Sequence, residues 1–222
     1  MSGFWDQALA VAGRDIHRER RAGEVVWITI PFGAIALLLV PLAVGTDIPL
    51  LRRIGPGLFW VVVMLFGVLI SVRRTSAETP AQRDVLTLLG VDAGAVFTGR
   101  VLSTTAMLLA FEVVIGVVAV LLYDIRLDGW QWLLVLVPLA ALGLGLLGSI
   151  AGAITTSLEA SAALVPLLVA PLAVPLLLAA TEGMDVVQTG GSILPWILLM
   201  VVVDLALAIA GVLTARPLQE TQ

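Results

Sequence analysis

Residues 101–122 read VLSTTAMLLAFEVVIGVVAVLL, and Glu112 is the only ionisable group among them. At 1.5 Å per residue such a helix is roughly 33 Å long. That matches a bilayer hydrocarbon core of about 30 Å. Lipid offers backbone groups no hydrogen bonds, so a spanning segment closes its own, as a helix does. A barrel strand would show about ten residues of alternating polarity, and this stretch does not alternate.

Five more apolar runs flank it: Val25–Gly45, Ile54–Val72, Trp132–Ile154, Ala160–Ala180 and Ile193–Leu213. The expected fold is therefore all-α: a polytopic membrane protein with six transmembrane helices, residues 1–222 forming one transmembrane domain. Composition agrees, with 60% of the 222 residues hydrophobic and 13% charged. Soluble domains are nearer half apolar and a quarter charged. The first run is too long for a signal-peptide core, typically about 7–15 residues, so it reads as a retained span.

Several chemistries are excluded. With no Cys, disulfides and thiolate sites are impossible, and the single His17 cannot build an imidazole metal site. All twelve basic residues are Arg. Without Lys there is no glycine-rich phosphate loop ending in Lys-Ser or Lys-Thr. No HExxH and no nucleophile elbow occur, and nothing reads as a nucleic-acid patch. No residue is expected to be catalytic or to bind a metal.

An even number of spans puts both termini on one side. Arg14, Arg18, Arg20, Arg21, Arg73, Arg74, Arg83, Arg100 and Arg216 then share that side, opposite Arg52, Arg53 and Arg126. The excess of Arg around short loops faces the cytoplasm, so both termini are expected there. Trp5, Trp27, Trp60, Trp130 and Trp132 fall near ends of spans.

Two segments on the Arg-rich side carry pattern. Residues 4–24 read as an interfacial helix before the first span. Its apolar side is Phe4, Trp5, Ala8, Leu9, Val11, Ala12 and Ile16; its wet side is Asp6, Arg14, Asp15, Arg18 and Glu19. Either it only anchors the topology or it also touches a partner. Residues 73–100 form the long loop. Thr79, Pro80 and Gln82 make a helix start and Gly90 a stop. Between them Val85, Leu86, Leu88 and Leu89 form an apolar ridge flanked by Arg83 and Asp84. Such a ridge suits a protein partner, or it packs back on the bundle. A second helix start falls at Asp92.

Inside the spans, Glu112 and Asp204 are carboxylates at membrane depth, each costing about 2.5–3.5 kcal/mol to insert. They read either as parts of a path or helix lock, or as neutral acids held within the bundle. Pro166, Pro171 and Pro175 are expected to kink or break span five. Gly148 and Gly152 have small-xxx-small spacing, with Gly145 beside them; they suit helix packing within the chain or a seam between two copies.

Three stretches resemble the CcmB family, haem exporter protein B. They are IGPGLFW at 54–60, DVLTLL at 84–89 and AALVPLLVAPLAVP at 162–175. The likeness runs in order over most of the chain. It implies a permease subunit of an ABC exporter in cytochrome c maturation, in the bacterial cytoplasmic membrane. A separate CcmA-like ATPase would carry ATP and dock on the coupling loop through Arg83, Asp84, Val85, Leu86, Leu88 and Leu89. The other implied partners are a CcmC-like haem-handling subunit, a small CcmD-like subunit and a second copy of this chain. Haem is then cargo, and no cofactor is expected to stay bound to this chain. The competing readings are an ABC permease for lipid, polysaccharide or drug, and a secondary transporter moving protons on Glu112 or Asp204. The latter is weakened because the two halves show no repeat.

Overall fold

The structure is a computed structural model that describes residues 3–23, 25–45, 47–77, 90–125, 129–157 and 164–220. It contains seven α-helices among those residues and no strand. They are α1 (Phe4–Ala22), α2 (Ile30–Val44), α3 (Ile48–Ala77), α4 (Ala93–Tyr123), α5 (Leu133–Ser157), α6 (Leu164–Thr189) and α7 (Leu194–Glu220). Six helices are long and apolar enough to cross a membrane. A π-helical turn, Val25–Thr29, links α1 to α2. The expected ridge of Val85, Leu86, Leu88 and Leu89, with Arg83 and Asp84, lies outside the described residues.

Local chemistry sets the ends. Asp92 caps α4, its Oδ1 accepting from the Ala95 N–H at 3.2 Å. Gly23 closes α1 in the left-handed region at φ 67°, where a side chain would be strained. Several helices outrun the apolar cores read from sequence. α3 has 30 residues and α4 has 31, about 45 Å each, so both project beyond the hydrocarbon. Arg52 and Arg53, expected in a loop, belong to the first turns of α3. α6 likewise continues through Glu182 and Asp185 to Thr189.

α5 is the axis of the bundle, packed against α3, α4, α6 and α7. It can be central because it is thin. A methyl added at Gly143 would come within 2.5 Å of both Asp204 Oδ1 on α7 and Leu176 Cδ2 on α6. One added at Gly145 would lie 2.5 Å from Thr105 Oγ1 on α4. One added at Gly148 would overlap the Ser71 hydroxyl on α3. Gly145 and Gly148 thus seat neighbours of the same chain, and Gly152 is half-buried.

α2 and α7 form the periphery. Phe32, Ile35, Leu39 and Leu42 of α2 are exposed, as are Leu198, Val202, Leu205 and Ile209 of α7. That belt suits lipid. α2 is held where Gly33 meets Phe111 and where the Tyr123 hydroxyl donates to the Leu37 carbonyl at 2.7 Å. The second contact answers a backbone problem. Leu37 is four residues before Pro41, which has no N–H to give its carbonyl. A buried carbonyl left unmet costs about 1–3 kcal/mol.

The span-five prolines do not interrupt α6. Pro171 and Pro175 lie inside a helix continuous from Leu164 to Thr189. Pro166 is the third residue of α6.

Candidate functional site

The chain's ends share one end of the bundle: Gly211 of α7 lies against Phe97, near the start of α4, and α1 packs there too. α1 follows the first turns of α4 in the same direction. Phe4 approaches Gly94, and a methyl added at Gly99 would be 2.6 Å from the Ala8 carbonyl and 2.7 Å from Val11 Cβ. Ala8, Val11 and Ala12 are buried in this contact, while Phe4, Trp5 and Leu9 stay exposed. The expected apolar side is therefore two faces, one docked and one free.

Asp15 corrects the sequence reading, which put it on the wet side. Its side chain is 11% exposed and its Oδ2 accepts from Arg74 at 2.7 Å. Arg14 holds its Oδ1 at 3.0 Å. Arg74 also donates to Thr104 Oγ1 at 2.6 Å, tying α1, α3 and α4 together. At the other end of α1, Gln7 Oε1 accepts the Asp92 N–H at 2.9 Å. The overlooked signal was spacing: Gln7, Val11 and Asp15 recur every fourth residue, one stripe of a helix. At the opposite end of the bundle Arg52 pairs with Asp124. That pair is exposed, and pairs of its kind contribute little.

The two intramembrane carboxyls are both interior. Glu112 is 1% exposed and Asp204 is 4% exposed. Asp204 lies against Gly143 and Leu176. Glu112 is seven residues, two turns, beyond Thr105 and so shares its face of α4, the face that meets Gly145 of α5. Among the described residues no hydrogen-bond partner reaches either carboxyl, Thr105 Oγ1 or Ser149 Oγ. Asp204 and Thr105 thus both meet the axis helix, at Gly143 and Gly145. Among the described residues no cluster of three His, Asp or Glu could hold a metal.

The family model described as CcmB protein matches residues 6–219, from the first turn of α1 through α7. The chain belongs to the CcmB family. Its similarity to curated CcmB relatives is spread along the chain. It is 32% identical over 178 residues to Heme exporter protein B of Rhodobacter capsulatus, covering 78% of this chain and 80% of that one. It is 29% identical over 213 residues to the protein of that name from Paracoccus denitrificans, covering 93% and 95%. The Haemophilus influenzae protein is 26% identical over 186 residues, covering 80% of each chain. The CcmB assignment makes this chain a multi-pass transporter subunit.

Proposed function

We propose that this chain is the permease subunit of an ABC exporter serving cytochrome c maturation, with haem or a haem-loaded chaperone as the released cargo. The observation that carries the reading is the CcmB match over residues 6–219, joined to six helices fit to span a membrane. The relatives' name, Heme exporter protein B, supplies the cargo class. The chain's excess of Arg around 73–100 and near both ends supports a cytoplasmic placement of the termini in the inner membrane.

The sequence carries no nucleotide-binding loop, so ATP hydrolysis belongs to a separate CcmA-like ATPase. It docks on the 73–100 loop, through Arg83, Asp84 and the ridge Val85, Leu86, Leu88 and Leu89. A CcmC-like haem-handling subunit, a CcmD-like subunit and a second copy of this chain complete the complex. Haem passes through the complex as substrate, and this chain holds none stably.

Docking is tested by co-purification. Leu86→Asp with Leu88→Asp puts two charges on the ridge. The double variant is expected to insert normally and to retain less than about a tenth of the ATPase, a loss of 1.4 kcal/mol or more. Retention equal to the unaltered chain would overturn this docking site.

A further inference from the structure

The loop assigned above to the ATPase leaves α3 at Ala77 and re-enters the fold at Asp92, the cap of α4. α1 holds a residue at each of these roots. Asp15 takes Arg74, one turn before the end of α3, at 2.7 Å. Gln7 takes the backbone N–H of Asp92 at 2.9 Å. Between these two points α1 is pressed onto α4 at Gly99, where its Ala8 carbonyl leaves no room for a side chain. Eight residues separate Gln7 from Asp15, about 12 Å of rigid helix.

We infer that α1 is a bracket that fixes both roots of the 78–91 segment and so sets how it is presented to the ATPase, with Gln7, Asp15 and Arg74 as positioning residues. The inference rests on the docking role proposed for that loop. A membrane anchor alone would need only an apolar face and flanking Arg residues. It would not need a part-buried ion pair, with side chains 11% and 21% exposed, nor a side-chain bond to the loop's last backbone amide. The ion pair makes the α3 root depend on α1, as the Gln7 bond makes the α4 root depend on it. Arg74 reaches Thr104 as well, so a displacement of α1 is felt directly by α3 and α4. ATPase movement on the loop thereby reaches α1 as well as the two spans that the loop joins.

The test is hydrogen exchange of the full chain in lipid nanodiscs, with ATPase co-purification as the second readout. Asp15→Arg, and separately Gln7→Leu, are expected to speed exchange in peptides covering 75–92 about tenfold, with α5 peptides unchanged. Each is expected to lower ATPase retention. Combining Asp15→Arg with Arg74→Asp is expected to restore both, which a general loss of folding would not allow. Gly99→Leu, which lifts α1 as a whole, is expected to act like the two root variants together. Unchanged exchange in 75–92, failure of the charge swap to rescue, or faster exchange with full ATPase retention would each overturn the bracket. The Leu86→Asp, Leu88→Asp variant separates the two ideas: if it keeps its ATPase while the exchange results hold, the docking assignment fails and the root contacts stand.

Discussion

Glu112→Gln and Asp204→Asn are expected to accumulate in the membrane and to complement a deletion strain at close to full level. Glu112→Arg and Asp204→Arg are expected to fail at accumulation. Both carboxyls are in the interior, with no hydrogen-bond partner among the described residues. A fixed charge there costs about 2.5–3.5 kcal/mol by insertion scales, and Arg adds bulk that the sites lack. Asp204 has room only because residue 143 is glycine. The amides keep shape and polarity without charge. Immunoblots of membranes and the level of c-type cytochromes read the two outcomes. The same variants separate an ATP-driven permease from a carrier that moves protons, because an amide cannot take up and release one. Normal membrane levels with no activity in Glu112→Gln or Asp204→Asn would favour the proton-coupled reading.

The second large effect is on the axis helix. Gly143→Val and Gly148→Val are each expected to destabilise the bundle by about 1–3 kcal/mol, the usual cost of forcing atoms into a packed core. The first drives a branched side chain into Asp204 and Leu176, the second into Ser71. Combined, they are expected to abolish accumulation, since α3, α6 and α7 all lose their seat. Gly57→Ala is the control. Nothing lies within 4 Å of an added methyl there, and replacing a helical glycine gains up to about 1 kcal/mol. Thermal unfolding in detergent reads all three. A Gly148→Val protein as stable as the unaltered chain would remove α5 from the centre of the account.

The spans were legible because length and apolarity are one-dimensional quantities. Residues 101–122 read as a crossing without reference to any neighbour. Helix ends were less legible, because a helix does not stop where hydrocarbon stops: Arg52 and Arg53 are wetted yet helical. The prolines of 162–175 suggested a kink or a break; α6 runs through Pro171 and Pro175 without a break. How a bundle can meet a carbonyl freed by proline is seen at Tyr123 and Leu37, a pairing 86 residues apart in sequence that no local pattern contains. Asp15 was misplaced for a related reason. Its charge suggested solvent, while its partner Arg74 is 59 residues away. The glycines of α5 were visible as a group, but which helix each one seats is a tertiary fact. The family likeness was readable in three short stretches and is borne out by the match over residues 6–219.

We propose above all that this chain works in haem export for cytochrome c maturation. Deleting its gene and staining membranes for covalently bound haem, with the gene returned on a plasmid, tests it most directly. The predicted result is loss of all c-type bands, retention of b-type haem spectra, and recovery on complementation. Unchanged c-type cytochromes in the deletion strain would contradict the claim and leave a six-span exporter of another cargo.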